Sequence, residues 1–386
     1  MRRQGNAGEP ASARIIRKSP GKTNFPACRY RATVPRRIQP GTLMEDFNPH
    51  HILCYDSEFV REHSYIPKLA LVQTCRPGGS AHLYDPLDGA DAVPWQAILH
   101  HPAPIVLHAG AQDLELMQLC GGGLPQTVRD TQIGFALCSP QLAVSYAQLV
   151  EHYLGISPDK SQTRSDWLAR PLNAEQRAYA AADVELLARL YPYLVADLRR
   201  LGRLDWWAEE NAALLARQTR PREAWHWYRL QGAPQLRAGD RRVAEILTAA
   251  RERLAAAQDL PRRAIMSDRQ LIAIAQKQPP TLEALAEHLS ASHPLWQELP
   301  YLSGQFAADA APPAQPSSPR LGHARRQQYE KLCRSVADTA AALGIHPDLL
   351  ATTRALKHYC AEPSTDSPLL RGWRAAYLRE ELQKLL

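Results

Sequence analysis

"CYDSEFVREHSYIPKLALVQT", residues Cys54–Thr74, sets two strand-like stretches on either side of a polar turn. In the first, Asp56 and Glu58 stand two residues apart beside Ile52, Leu53 and Phe59. On a β-strand, residues i and i+2 face the same side, so two carboxylates lie together in a partly apolar setting. Like charges that close repel, and burial adds to the cost of ionising each. The pair therefore requires a compensating cation or a chemical task.

Outward from this stretch, short apolar runs at 52–55, 69–75, 81–84 and 104–108 read as strands, separated by turn signals such as "RPGGS" and "DPLDG". Helical patterns at 94–100, 111–119 and 131–137 alternate with them, which is α/β order. From about 141 onward the chain reads as helical. Asn173 is placed to cap a helix running to about Arg200, with Glu175 in its first turn. Val243, Ile246, Leu247, Ala250 and Leu254 repeat with helical spacing, so 240–256 is an amphipathic helix. "AADAAPPAQPSSP" at 307–319 has the composition of a linker, and a last helical module follows. The expected division is a basic arm at 1–43, an α/β domain at 44–203, a helical domain at 204–302, a linker at 303–320 and a helical module at 321–386.

The chain has 386 residues and a formal net charge of +7, but the charge is unevenly placed. Residues 1–43 hold ten Lys/Arg and one acid, Glu9, which leaves 36 basic and 38 acidic residues for the remainder. The body is thus nearly neutral, and overall charge is no argument for a nucleic-acid partner. The arm, rich in Pro and Gly, reads as flexible. A transit peptide shares its composition, but its prolines oppose a long amphipathic helix. "PGKT" at 20–23 is not a phosphate loop, because Ile16 stands where the pattern needs its first glycine. The seven cysteines are scattered with no metal-ligand spacing, as expected of reduced thiols in a cytoplasmic protein. No apolar run is long enough to span a membrane and no secretory signal opens the chain.

Three more places carry chemistry. "PIVLHAGAQDLELM" is a strand ending at His108, a turn, then Asp113 in the first turn of a helix. "YAAADVELL" puts Tyr179 and Asp183 four residues apart on one helix face. Between them lies "DKSQTRSDWLARPL", 159–172. Each alone is ordinary: D-x-E is commonly a solvated strand face, an early helical acid commonly offsets the dipole, and His108 reads as packing. In this order, and on these elements, they form a set.

The set resembles the ribonuclease D family, within the DEDD superfamily of 3′→5′ exonucleases. "DSEFVREHSYIPKLALVQ" is similar to the family's first motif and "LHAGAQDLELM" to its second. "DTQIGFAL" (130–137) is similar to the stretch after the next strand, and 153–187 to the region through the third motif. The spacing of Tyr179 and Asp183 resembles that of the tyrosine subclass. Residues 218–298 resemble the helical HRDC module and "LLRGWRAAYL" (369–378) the family's C-terminal end. The family's usual helix before the first motif has no counterpart that can be read here.

The resemblance implies an RNase H-like α/β domain, a mixed sheet flanked by helices, followed by all-α HRDC-like modules. It implies that Asp56, Glu58, Asp113 and Asp183 bind metal and that Tyr179 positions the attacking water. The physics agrees: hydrolysis drives an anionic nucleophile onto an anionic phosphodiester, and two divalent ions, Mg²⁺ or Mn²⁺, on carboxylate oxygens relieve that repulsion. The expected activity is a 3′→5′ exoribonuclease that releases nucleoside 5′-monophosphates from RNA, above all at the 3′ ends of tRNA precursors. A monomer with no membrane partner is expected. A DNA exonuclease of the same chemistry and a binding protein with a dead site are the alternatives, and the complete set of acids opposes the second. Residues 218–298 carry twelve Lys/Arg and nine Asp/Glu. Arg241, Arg242, Arg262, Arg263 and Arg269 are the candidates there for phosphate contact. Trp225 and Trp227 read as core, and Lys160 and Arg164 as solvated loop charges.

Overall fold

The computed structural model describes residues 47–89, 93–219, 225–308, 310–315 and 319–384. The arm at 1–43 and the position of the missing helix lie outside them. β1 (Leu53–Val60), β2 (Lys68–Cys75), β3 (His82–Tyr84), β4 (Ile105–Leu107) and β5 (Val128–Asp130) form one sheet in the order β3-β2-β1-β4-β5. β1 runs antiparallel to β2 and parallel to β4, so the sheet is mixed. The four strands read from apolar runs are all present. β5 is too short and too polar to stand out, because Arg129 and Asp130 occupy two of its three positions.

The alternation of β1 decides what covers each face. Leu53 and Tyr55 share a core with Leu114, Leu116 and Met117 of α2 (Ala111–Gly121), which packs with α1 (Trp95–Leu99). Ile52 and Cys54 share a core on the other face with α3 (Thr131–Ala136), α4 (Tyr146–Leu154) and α5 (Ala174–Arg200). On α5, Ala180, Val184, Leu187, Tyr191, Leu194 and Leu198 are buried at alternating steps of four and three, one continuous stripe. Tyr179 and Asp183 each precede a member of that stripe, which sets them at its edge. Asn173 caps the start of α5, as its sequence predicts, and Gln176 completes a reciprocal capping box.

A buried aspartate organises the turn into α2. Asp130 accepts from Ala109 N–H (3.2 Å), Gly110 N–H (2.9 Å), Gln132 N–H (2.8 Å) and Ile133 N–H (3.3 Å). It therefore caps α3 and also holds Ala109 at φ 54°, a left-handed conformation costly for a residue with a β-carbon. Its own backbone is clamped by α6 (Leu204–Gln218): Asn211 Oδ1 accepts from its N–H at 2.8 Å, and Trp207 Nε1 donates to its carbonyl at 2.9 Å. By packing, α6 stands with β5, α2 and α3. Helix α6 follows the division expected at 203/204 and packs against elements that precede it.

Residues 225–308 build a separate core around Trp227, Leu247, Leu271 and Leu295. Its helices are α7 (Asp240–Gln258), α8 (Arg262–Ile265), α9 (Asp268–Ala275), α10 (Leu282–Ala286) and α11 (Leu299–Ala307). Trp227 is buried, as its sequence setting suggests, and Trp225 lies half-buried under Arg262. The loop after β1 meets this unit: Tyr65 OH donates to Glu252 (3.1 Å), Ile66 N–H to Asp259 (2.9 Å) and Arg263 to the Glu62 carbonyl (3.2 Å). The last unit, α12 (His323–Leu343), α13 (Pro347–Leu350), α14 (Thr353–Ala361) and α15 (Gly372–Gln383), packs back on α6. There Trp373 stacks on Trp206 at 4.4 Å, and Arg374 pairs with Glu210.

Asp130→Ala would strip four N–H groups of their charged acceptor and release the turn that carries Asp113. The expected cost is on the order of 3 kcal/mol, with a loss of nuclease rate beyond the loss of folded protein. Thermal unfolding beside rates corrected for folded fraction checks this, and unchanged values in both would mean that water replaces the carboxylate.

Candidate active site

At the C-terminal end of β1, the alternation aims Asp56 and Glu58 at the face that α5 covers, and Asp183 meets them from that helix. One ligand oxygen from each of Asp56, Glu58 and Asp183 lies within 4.8 Å of the others. The three line a cavity of about 240 Å³ with Tyr55, Ser57, His108, Tyr146, Tyr179 and Leu187. Asp113 arrives from the other face of the sheet. It is buried and held by Ser57 Oγ, which donates to it at 2.5 Å. The structure thus gathers three of the four acids and sets the fourth behind β1, close enough for its charge to reach Asp56 and Glu58.

Burial pushes all four carboxyls upward, and their mutual repulsion adds to it. Glu58 is raised to about 9 by burial, then by the charges of Asp56, Asp183 and Asp113. Asp183 and Asp113 rise through burial and then the charge of Asp56. Asp56 rises least, because the Ser57 N–H and the Gln73 amide support its charged form; Gln73 Nε2 donates to it at 2.9 Å. Among the described residues, no Lys or Arg forms an ion pair with any of the four. The donors are all carboxylate oxygens, the set that a hard divalent cation takes. The residues therefore fit the metal their chemistry implies.

Tyr179 lines the cavity with its ring 6.0 Å from that of buried Trp167, and its hydroxyl eases the ionisation of Asp183. The segment 159–172 is anchored beside it. Arg170 donates to the carbonyl of Ala70 (2.6 Å) and pairs with Asp85 (2.7 Å), and Gln176 Nε2 donates to Ser165 Oγ (2.5 Å). Lys160 and Arg164 are exposed on it. His108 is tied down on both nitrogens, to the Val144 carbonyl and Thr131 Oγ1 at 3.1 Å each, with burial lowering its pKa. Its packing role agrees with its sequence reading, although its ring also borders the cavity.

Sequence reasoning passed over Ser57, Gln73, Tyr146 and Asp130. Gln73 was reachable by pairing the two strands, since it sits directly opposite Asp56. Tyr146 donates its hydroxyl to the Asp183 carbonyl, a contact between helices that no spacing signals. Of the five basic candidates, four make internal contacts. Arg241 lies over Trp227 (4.9 Å), Arg242 donates to the carbonyls of Gln305, Phe306 and Ala308, and Arg262 pairs with Glu252 (2.6 Å). Arg263 and Arg269 are exposed, and Arg263 also donates to the Glu62 carbonyl.

A mixed sheet with an acidic cavity at the end of its central strand, followed by helical modules, defines the class: a 3′→5′ exonuclease domain joined to HRDC-type helices. The 3′-5′ exonuclease family matches residues 34–199 and the HRDC domain residues 240–292. The chain is 35% identical to ribonuclease D of Gluconacetobacter diazotrophicus over 88% of each protein. It is 32% identical to ribonuclease D of Escherichia coli K12, over 89% of this chain and 95% of that one. The crystal structure of Escherichia coli RNase D, described as an exoribonuclease involved in structured RNA processing, superposes with a TM-score of 0.71 at 29% identity, covering 88% of this chain and 94% of that one. A protein from Bifidobacterium adolescentis, at 23% identity and a TM-score of 0.65, shares the fold. The chain belongs to the ribonuclease D family. It is a hydrolase, an exoribonuclease. Among the described residues, no helix is long and apolar enough to cross a membrane.

The raised carboxyl pKa values set a pH dependence. Without divalent metal, the folded protein keeps protons that the unfolded chain has released, from about pH 4 up to about 9 at Glu58. Stability from these groups is therefore full below the unfolded pKa and is lost as pH rises through the folded values. In chelator, the thermal midpoint of wild type should fall between pH 5 and 9 more steeply than that of Asp183→Asn, which should be the more stable protein at the alkaline end. Parallel pH profiles would show that the acids do not repel as described.

Proposed function

We propose that this chain is a metal-dependent 3′→5′ exoribonuclease that trims structured RNA from its 3′ end, with tRNA precursors as the chief substrate, and releases nucleoside 5′-monophosphates. The observation that carries it is the meeting of Asp56, Glu58 and Asp183 within 4.8 Å in a cavity that Tyr179 borders. These three would hold divalent metal, Mg²⁺ or Mn²⁺, and Asp113 would serve a second ion. When bound, such ions lower the pKa of water and offset the charge gathering at phosphorus. The chain's own residues do the rest. Tyr179, on the firm backbone of α5, directs its hydroxyl at the attacking water. Ser57 and Gln73 keep Asp113 and Asp56 oriented. The substrate class is supported by family membership and by the structured-RNA role described for the Escherichia coli relative. Arg263 and Arg269 would add phosphate contacts from the HRDC-type unit. A cytoplasmic monomer suits this role.

The deciding experiment is release of 3′-terminal label from RNA and DNA of one sequence. Chelation should abolish release, and Mg²⁺ or Mn²⁺ should restore it, with RNA preferred. Release that persists in excess chelator would sink the metal-dependent reading, and a preference for DNA would reassign the substrate.

Tyr179 and Asp183 share a helix face but differ in role. Asp183→Asn removes a charge facing a dication, so Mn²⁺ affinity and rate should both collapse. Tyr179→Phe keeps the ring and loses the orienting hydroxyl, so the rate should fall by about 10²–10⁴ with Mn²⁺ affinity near wild type. Calorimetric Mn²⁺ titration beside single-turnover rates separates the two, and wild-type turnover by Tyr179→Phe would reduce that residue to packing.

A further inference from the structure

A second cleft lies far from the acids along the chain, in the last helical unit. Arg320, Leu321, Arg326, Tyr329, Glu330 and Lys357 line about 470 Å³ between the entry to α12, its first turns, and α14. Three cations face one acid. Other basic side chains of this unit are engaged: Arg325 donates to the Ala361 carbonyl, Arg371 pairs with Asp366, Arg374 with Glu210, and Lys384 with Glu381. Arg320, Arg326 and Lys357 have no such partner among the described residues, and Glu330 pairs with none of them. Lys357 is half-buried, where an ammonium without a counter-charge is costly.

The shape selects among anions. Tyr329, half-buried against the core, and Leu321 supply apolar surface beside the cations. A base stacks on such a ring while cations take the neighbouring phosphates. α12 adds to the field: it is 21 residues long, Gly322 gives it no side-chain cap, and its first turn holds no acid.

We propose that this cleft is an RNA-binding site that grips a backbone phosphate and an unpaired base of the substrate at a point remote from the 3′ end being cut. The proposal rests on the exoribonuclease reading and gives it a second point of attachment, one that serves long substrates and leaves short oligonucleotides untouched. The free nucleoside 5′-monophosphate product carries the same phosphate chemistry, so the experiment must tell the two apart.

The test neutralises Arg326→Gln and Lys357→Gln together in the full chain. The control neutralises two exposed arginines of the same unit outside the cleft, Arg334→Gln and Arg354→Gln. Affinity for a tRNA-sized RNA and for a single-stranded hexamer is measured by fluorescence anisotropy across salt concentrations, in an Asp183→Asn background so that the RNA survives. Hexamer turnover is measured with Asp183 intact. The cleft variant should bind the long RNA about tenfold more weakly near physiological salt, with its salt slope reduced by about 1 for each contact removed. Its hexamer affinity and turnover should match wild type, and the control should bind the long RNA as wild type does. Unchanged long-RNA affinity, an equal loss in the control, or an equal loss on the hexamer would each overturn the proposal. Adenosine 5′-monophosphate is added as competitor. If it binds wild type but not the cleft variant while the two bind the long RNA equally, the cleft is a mononucleotide site and the proposal falls. An inert wild-type protein in the hexamer assay would instead refute the exoribonuclease reading, while the binding comparison would still judge the cleft.

Discussion

Asp56, Glu58 and Asp183 repel one another, and burial makes each charge harder to keep. Such a cluster exists only where the backbone beneath it cannot relax. Here the base is the contact between the end of β1 and the third turn of α5, packed along a stripe from Ala180 to Leu198. The stripe fixes the rotation of α5, and rotation places Asp183 and Tyr179. The cavity is a cost that the surrounding core offsets, as expected where local preference yields to function.

The fourth acid depends on a different support. Asp113 sits on α2, across the sheet, and its position is set by a turn whose amide groups end on Asp130. Asp130 is clamped in turn by Trp207 and Asn211 of α6. A helix that follows the third motif thereby secures the second. The "DTQIGFAL" stretch (130–137) thus begins with a residue that organises structure, its carboxylate accepting from four backbone amides.

The helical units are joined to this centre through contacts that start next to it. The loop that leaves β1 two residues after Glu58 carries Arg61, bound to Glu115 of α2, then Tyr65 and Ile66, bound to Glu252 and Asp259. The last unit closes on α6 through Trp206 and Trp373. Both attachments use elements that already position the acids, so the helical units and the cavity share a frame.

The amino-acid sequence by itself determined the period-two face that pairs Asp56 with Glu58, the Asn173 cap that starts α5, and the four-residue spacing of Tyr179 and Asp183. These are local properties, set by strand and helix periodicity and by backbone amides seeking nearby acceptors. Only the tertiary structure decided which acids meet. It joined Asp56, Glu58 and Asp183, left Asp113 behind the sheet under Ser57, and set Gln73 and Tyr146 beside the cluster, because those contacts join residues 17 to 127 positions apart. It also packed α6 against β5, α2 and α3 and gave Arg241, Arg242, Arg262 and Arg263 internal partners. A run of basic residues states a charge, and packing alone decides whether that charge faces a ring, a carbonyl or solvent.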